Sequence, residues 1–180
     1  MLSRITCKMP SSAMEPTIKK GDWVASDTKY YFSNKPERFE VAVFWAPDVE
    51  REILDIARAK VGDEASIDEI LSCASEIMRS RNQTIRPHLL YIKRIVGLPG
   101  EEIRFTETDI EINGEKAKIP RDLRKAYSKF PKPKGYRFGG ENTRITEDAV
   151  FVVSDNLGKG VDSRHVGPVP VGNLFARVGI

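Results

Sequence analysis

Short apolar and β-branched runs, separated by turn residues, dominate the pattern of the chain. Five runs have the length and the content of Val, Ile, Phe and Trp that predict strands: 22–27, 39–45, 89–96, 149–153 and 169–178. Ile110 and Ile112 also alternate with polar residues up to Asn113-Gly114. This pair suits the positive φ angles of a type I′ turn, so a β-hairpin is predicted there.

A helical period interrupts the strands between about residues 48 and 82. Apolar residues recur at steps of three and four from 53 to 61 and again from 67 to 78. Ser66 and Glu69 form a capping-box pattern at the start of the second run. Two short helices that form one hairpin are therefore predicted.

Strands outnumber helices and rarely alternate with them, which favours a mainly β fold with an antiparallel sheet. We predict a single domain over residues 1–180, with the helical hairpin at about 48–82 as an insertion and a cap or loop region at about 101–148. The stretch 125–137 interleaves aromatic residues with cations and contains Pro131 and Pro133. It is predicted to be an exposed loop.

Composition excludes several classes of protein. The chain has 180 residues, 40% of them hydrophobic and 31% charged, which is typical of one globular domain. The longest apolar run, 41–46, is far shorter than the roughly 18 to 20 residues of a membrane-spanning helix. Residues 1–10 contain Arg4 and Lys8 and do not form the apolar core of a signal peptide.

The charged residues, the cysteines and the histidines do not by themselves indicate a ligand. The chain has 29 basic and 26 acidic residues, and the resulting net charge of +3 is too small to indicate nucleic-acid binding. Cys7 and Cys73 are far apart, and His88 and His165 stand alone, so no disulfide framework and no zinc site are expected. No metal and no cofactor are predicted.

Lys93 is a candidate general base. Period-two alternation places Tyr91, Lys93 and Ile95 on one face of the 89–96 strand, so the ammonium emerges between two bulky apolar side chains. Burial disfavours the charged form and lowers the pKa of a lysine, as proton acceptance near neutral pH requires. A strand lysine whose head reaches solvent is the alternative that the segment alone leaves open.

Three segments together resemble type I signal peptidases: MPSSAMEPTIKKGD at 9–22, YIKRIVGLPGE at 91–101 and SDNLGKGVDSRHVGP at 154–168. These are membrane-associated serine proteases that use a Ser/Lys dyad to remove signal peptides from exported proteins. The resemblance implies the antiparallel, barrel-like β-fold of their catalytic domain. It also implies that Lys93, in the YIKR pattern, is the base and that Arg94, on the other strand face, is structural.

The nucleophile position of the resembled family is occupied by Ala13. The family pattern is Pro-Ser-x-Ser-Met-x-Pro-Thr, and this chain has PSSAMEPT at 10–17. A methyl group cannot attack a carbonyl, so the chain is predicted not to cleave by that mechanism. Ser12 is a poor substitute, since adjacent side chains of an extended segment point to opposite sides. An engineered Ser-to-Ala change is favoured over a natural non-cleaving relative, because the rest of the segment matches.

The resemblance assigns further site residues. Ser11 aligns with the serine that, with the backbone N–H of the nucleophile residue, forms the oxyanion hole. The third segment matches the family's last motif through Asp155-Asn156 and Asp162-Ser163-Arg164, and in that motif the Asp and Arg support the floor of the site.

One position of that last motif departs from the family. The family usually has a serine two residues before the Asp, where its hydroxyl orients the lysine, and this chain has Gly160. Ser154 and Ser163 are the two candidates to replace that hydroxyl.

Substrate and location also follow from the resemblance. The expected partners are signal peptides of exported preproteins, with small residues such as Ala at the first and third positions before the cut, and the membrane surface. Ser12, Met14 and Pro16 are predicted to contact the peptide, and apolar surface near Met14, Ile18 and Trp23 to touch lipid. The catalytic domain is expected on the extracytoplasmic side of the cytoplasmic membrane, with its anchor absent from this chain.

Two other functions remain open. A pseudoprotease would bind extended peptides through the same contacts and release them uncut, and alanine in the natural gene at position 13 would support it. A self-cleaving regulator of the repressor type shares the Ser/Lys dyad and a related β-fold. It would need a DNA-binding helix pair, but the predicted pair at 48–82 lies inside the catalytic region.

Overall fold

The computed structural model describes residues 4–45, 51–62, 65, 67–81, 90–131 and 136–180. In these residues the strands are Arg4–Lys8 (β1), Trp23–Asp27 (β2), Val41–Trp45 (β3), Leu90–Gly97 (β4), Glu102–Phe105 (β5), Ile110–Ile112 (β6), Glu115–Lys116 (β7), Thr143–Arg144 (β8), Ala149–Val153 (β9), Val169–Pro170 (β10) and Leu174–Val178 (β11). The helices are Tyr30–Ser33 (α1), Arg51–Val61 (α2), Ile67–Ser80 (α3) and Ser163–Val166 (α4), with a 3₁₀ turn at Val171–Asn173.

The strands form two antiparallel sheets. The larger sheet has the order β1-β2-β11-β3-β4-β9-β10, and the smaller has the order β7-β6-β5-β8. The predicted mainly β, antiparallel class is confirmed. The predicted final strand at 169–178 is wrong in one respect, since the 3₁₀ turn divides it into β10 and β11, which lie in different parts of the sheet.

The predicted hairpin turn is present between β6 and β7. Asn113 has φ +52° and Gly114 has φ +82°, the two positive angles that a type I′ turn needs. The turn joins two strands of the smaller sheet, which lies within the region predicted as a cap.

Helices α2 and α3 pack on the larger sheet as an insertion between β3 and β4. Their buried apolar residues include Ile53, Ala57, Ala74 and Ile77, and these belong to one cluster with sheet residues. The spacing of these residues explains the helical period, because each lies on the stripe that loses contact with water.

The lipid-contacting surface predicted near Met14 and Ile18 is not found. Met14 is 0% exposed and Ile18 is 3% exposed, and both pack in the cluster beneath the helical hairpin. Trp23, the third residue of that prediction, is 70% exposed on β2. Within the described residues, no helix combines the length and the apolar content that crossing a membrane requires.

A second apolar cluster joins β9 to the smaller sheet, and it corrects the interpretation of the 125–137 stretch. No helix or strand forms in the described part of that stretch, as predicted. Tyr127 and Phe130 are nevertheless buried, with their rings packed against each other at 6.0 Å between centroids. Their burial removes the aromatic side chains from the surface on which cations and aromatic residues were expected together.

Candidate active site

Lys93 is buried on β4. Its side chain is almost inaccessible, 4% exposed, which excludes the alternative of a lysine head in solvent. The Nζ atom donates a hydrogen bond to the carbonyl oxygen of Ile92 at 3.0 Å and lies 5.9 Å from the centre of the Tyr91 ring. Burial lowers the pKa of Lys93 below its ordinary value, and this effect outweighs the opposing charges of Asp162 and Asp155.

One asparagine binds the backbone carbonyl groups of Ser12 and Ala13. Asn156 donates its backbone N–H to the oxygen of Ala13 at 2.9 Å, and its side-chain Nδ2 donates to the oxygen of Ser12 at 3.2 Å. On the other side of residue 13, the N–H donates a long bond of 3.4 Å to Ser11 Oγ. The two groups predicted to form an oxyanion hole are therefore neighbours.

Gly160 marks the point where the candidate groups meet. A Cβ atom placed on Gly160 would lie 3.0 Å from Ala13 Cβ, 3.1 Å from Ser154 Oγ and 3.9 Å from Lys93 Nζ. Three separate chain segments thus converge on a space of atomic size. Gly160 also has φ +92°, a conformation that residues with a side chain rarely adopt.

Asp162 and Arg164 form a buried bidentate ion pair beside this point. Arg164 donates from Nε to Oδ1 at 2.8 Å and from Nη2 to Oδ2 at 2.7 Å, and both side chains have no exposed surface. Asp162 also accepts the N–H of Ser154 at 2.9 Å. Burial alone would raise the pKa of Asp162, but the hydrogen bonds and charge of Arg164 outweigh it and hold that pKa below its ordinary value.

A second buried network lies under the segment that carries Ala13. Arg94 donates two hydrogen bonds to Asp155, at 2.8 and 2.7 Å, and a longer one of 3.3 Å to Thr17. Tyr127 donates its hydroxyl to the same carboxylate at 2.8 Å. Arg94, Asp155 and Tyr127 together connect β4, the loop after β9 and the segment after the smaller sheet's hairpin.

A cavity of about 360 Å³ opens beside Lys93, between β1 and the first half of β4. Cys7 and Lys8 line it from one side, and Leu90 and Ile92 line it from the other. In the described residues β4 pairs with β9 only from Arg94 onward, so the first half of β4 has an unpaired edge here. β1 is the terminal strand of its sheet, and no described strand pairs with its outer edge.

The family model described as "Signal peptidase, peptidase S26" matches residues 3–180. The chain belongs to this family. The resemblance seen in the three sequence segments is confirmed.

Relatives support the same assignment. The "Probable signal peptidase I-2" of Synechocystis sp. strain PCC 6803 is 27% identical over 169 residues, which cover 94% of this chain and 58% of that protein. The "Probable thylakoidal processing peptidase 2, chloroplastic" of Arabidopsis thaliana is also 27% identical over 169 residues, covering 94% of this chain and 35% of that protein. The chain thus spans less than two thirds of the length of these two relatives.

A solved structure is also similar. The crystal structure of a signal peptidase I from Enterococcus faecalis V583 has a TM-score of 0.49 and 19% sequence identity, and the match covers 81% of this chain and 98% of that one.

The residues predicted from the signal peptidase motifs differ in how the structure places them. Ala13, Lys93, Asp162 and Arg164 are all buried around the site. Ser163 is buried too, but its Oγ accepts the N–H of Val152 at 2.9 Å, on β9. Ser163 is therefore occupied as a backbone support, and of the two serines considered as partners for the lysine, Ser154 is the one that faces Gly160.

The predicted substrate contacts need one correction. Ser11 is exposed and lines the cavity beside Lys93, whereas Ser12, which is half-buried, and Pro16, which is exposed, are not among the residues that line it. Met14 has no exposed surface, because its side chain fills the core under the helical hairpin. Direct contact of Met14 with a peptide is therefore excluded, and it supports the segment from below.

Two contributors, Asn156 and Tyr127, were given no role in the sequence analysis. The role of Asn156 as a clamp on Ser12 and Ala13 depends on a contact across 144 positions of sequence separation. Tyr127 lies in a stretch interpreted as exposed. The spacing of Leu123, Tyr127 and Phe130, at steps of four and three, was the available signal that these side chains share a buried side.

Proposed function

We propose that this chain is the catalytic domain of a signal peptidase I that removes signal peptides from exported proteins, silenced by alanine at position 13. The proposal rests on one observation: Ala13 Cβ and Lys93 Nζ both lie within 4 Å of the same point at Gly160. The proposal requires that a hydroxyl added at position 13 comes within hydrogen-bonding reach of the lysine amine. Proximity and a lowered pKa are the two conditions for a lysine to act as base.

The chemistry follows from these positions. With serine at position 13, the neutral amine of Lys93 takes the hydroxyl proton while the oxygen attacks the peptide carbonyl carbon. The resulting ammonium returns the proton to the leaving amine as the peptide C–N bond breaks and the acyl group stays on the serine oxygen. A water molecule, deprotonated by the same amine, then releases the acyl group.

Ser11 and the N–H of residue 13 support this reaction as oxyanion donors. Their separation of 3.4 Å allows both to donate to one oxygen atom once a peptide carbonyl replaces their mutual contact. One donor of this kind commonly lowers the barrier by about 2.7 to 4 kcal/mol. Alanine at position 13 retains the N–H, so this part of the site does not depend on the nucleophile.

The peptide is proposed to bind as an extended strand between the unpaired edges of β1 and of the first half of β4. Such edges offer backbone donors and acceptors to an added strand. Apolar residues of the cavity, Met9, Val43 and Leu90 among them, suit the small side chains expected before the cut. Trp23 is directly opposite Lys8 in the β1–β2 pair and is proposed to face the membrane surface on the extracytoplasmic side.

The test compares three forms on a fluorogenic signal-peptide substrate with an Ala-x-Ala sequence, in detergent. Ala13→Ser is expected to cleave, whereas the present chain and the double variant Ala13→Ser, Lys93→Met bind without cleaving. Activity is expected to rise with pH through the pKa of Lys93, because only the neutral amine accepts a proton. Since burial lowers that pKa, activity should increase at a pH below 10.5, the ordinary pKa of lysine.

Lys159→Met in the Ala13→Ser chain is the matched control, because Lys159 is an exposed lysine in the loop that contains Gly160. Its activity should equal that of Ala13→Ser. A folded Ala13→Ser chain that binds the peptide but stays inert would sink the protease proposal.

The second candidate is a natural pseudoprotease that binds extended peptides without cleaving them. Ala13 itself favours it, because the cavity and the oxyanion donors persist without a nucleophile. The codon for residue 13 in the source gene separates the two: serine supports a silenced enzyme, and alanine supports a binder.

A further inference from the structure

Ser154 carries a buried hydroxyl that has no hydrogen-bond partner among the described residues. The residue is 0% exposed, and its backbone N–H is already used by Asp162. A buried hydroxyl left without a hydrogen-bond partner destabilises the folded state. We therefore expect the Ser154 hydroxyl to gain a hydrogen-bond partner in another arrangement of the site.

The hydroxyl faces the point where the candidate catalytic groups converge. Ser154 Oγ, Ala13 Cβ and Lys93 Nζ all lie within 4 Å of the position of a Cβ on Gly160. Lys93 Nζ uses one N–H for the oxygen of Ile92, which leaves further donors. Its charged neighbours are already engaged, Asp162 with Arg164 and Asp155 with Arg94.

The absence of a side chain at Gly160 leaves the space that the Ser154 hydroxyl faces. A side chain at position 160 would have its Cβ only 3.1 Å from Ser154 Oγ and 3.0 Å from Ala13 Cβ, both tighter than ordinary contacts. Its φ of +92° disfavours such a side chain as well. A hydroxyl on residue 154 and one on residue 160 therefore compete for a single space, and this chain fills it from residue 154.

We propose that Ser154 is a positioning residue for Lys93: the two are not hydrogen-bonded in this structure, but when the ammonium turns away from the Ile92 oxygen, Ser154 Oγ accepts one of its N–H groups and directs the amine lone pair toward the side chain of position 13. This inference deepens the proposed protease function and rests on it for its catalytic part. Signal peptidases usually have the orienting serine at position 160, where this chain has glycine. Ser154 would supply the equivalent hydroxyl from a different side of the site.

The kinetic test uses Ser154→Ala in the Ala13→Ser chain. We expect kcat to fall about tenfold to a hundredfold, as for a misoriented catalytic group, with KM within about twofold. The rise of activity with pH should also move to lower pH, because removing an acceptor from the ammonium destabilises the charged form of Lys93.

Ser26→Ala is the matched control. Ser26 is also a buried serine without a hydrogen-bond partner for its Oγ among the described residues, but it lies on β2, separated from β4 by β11 and β3. It should leave kcat and the pH profile unchanged. If Ser154→Ala lowers the melting temperature, Ser154→Cys retains the shape with a weak acceptor and should show the same kinetic loss. Unchanged kcat for Ser154→Ala, or an equal loss for Ser26→Ala, overturns the proposal.

A second measurement needs no activity. The titration of Lys93 is followed by NMR of the lysine side chains in the chain as it stands, with Lys93→Met to assign the signal. Ser154→Ala should lower the titration midpoint, and an unchanged or raised midpoint overturns the proposal. If Ala13→Ser proves inert while this midpoint still falls, the protease function fails but the contact between Ser154 and Lys93 stands.

Discussion

The Asp162–Arg164 pair illustrates how single residues support the site without touching a substrate. Both charges are fully buried, and each carboxylate oxygen accepts from the guanidinium and from a backbone N–H, of Ser154 or of Arg164 itself. Breaking such a pair leaves one buried charge without compensation, which costs more than the pair contributes when intact.

We therefore predict that Asp162→Asn lowers the free energy of unfolding by about 3 to 5 kcal/mol at neutral pH, measured by urea denaturation. The folded pKa of Asp162 lies below its ordinary 3.8, so its stabilisation is complete above pH 3.8 and is lost as the pH falls through the folded pKa. The difference between the two chains should shrink in that acid range.

Asp109→Asn is the control for this prediction. Asp109 forms an ion pair with Lys116 at 2.8 Å on the surface, where solvent screens the charges. A loss for Asp109→Asn as large as that for Asp162→Asn would contradict the argument from burial.

Residue-scale predictions from sequence succeeded where a recognisable motif encodes the outcome. The strand pattern around Lys93 left a solvent-reaching lysine open, and the resemblance to signal peptidases favoured a buried base; the structure places Lys93 at 4% exposure. The hydroxyl of Ser154, which has no partner among the described residues, had no such signal, because its surroundings depend on the left-handed turn at Gly160 and on a segment more than 140 positions away. Only packing in three dimensions brings these groups together.

At the scale of elements, strand β4 has two halves with different partners. It pairs with β3 along Leu90–Arg94 and with β9 from Arg94 to Gly97, with an irregular register before Gly97. The first half thereby leaves an edge open beside the cavity, and the second half passes into the apolar cluster of the smaller sheet. Gly97 lies at this transition, where a Cβ would be only 3.0 Å from Phe151 Cβ and in severe overlap with Ile145 Cδ1.

Gly97→Ala is predicted to lower the free energy of unfolding by about 1 to 3 kcal/mol, because the added methyl overpacks this junction. Thermal or urea denaturation measures the loss. Adding Ile145→Val should recover part of it, since this change deletes the Cδ1 atom. Gly158→Ala is the control, because no atom of the described residues lies within 4 Å of its added methyl. An equal loss at both glycines would rule out the packing explanation.

Element predictions failed mainly for strands that are short or polar. β1 alternates exposed and half-buried residues, and β8 has only two residues, so neither has an apolar run that indicates a strand. These elements form because neighbouring strands supply hydrogen-bond partners, which single-segment patterns do not contain. The pattern of β9, in contrast, is five buried apolar residues and was recognisable.

At the scale of the whole molecule, the helical hairpin covers one face of the larger sheet next to the candidate site. Trp45, at the end of β3, pairs directly with Leu90 at the start of β4, so the two strands are already adjacent where the insertion begins and ends. The hairpin is therefore not needed to connect them. Its packing against Trp45 and Phe175 gives it a covering role instead.

Replacing residues 46–89 with Asn-Gly is predicted to leave β3 and β4 joined by a two-residue turn but to expose the apolar face beneath α2 and α3. We expect strong binding of an apolar dye and a loss of several kcal/mol of stability, since burial of one large apolar side chain contributes about 1.5 to 3 kcal/mol. Glu76→Ala, at an exposed position of α3, is the control. A shortened chain of unchanged stability would show that the hairpin is not part of the core.

The hydrogen bonds from Asn156 to the carbonyl oxygens of Ser12 and Ala13 have a practical consequence. Because the backbone there is fixed from outside the site, the identity of the side chain at position 13 can be changed without moving the peptide plane that carries it. The position is thus suited to chemical tethering: Ala13→Cys would present a thiol at the mouth of the cavity, and a peptide ending in an activated disulfide would be captured there. If the proposed peptide binding holds, the Ala13→Cys chain becomes a reagent that records which peptides enter the cavity.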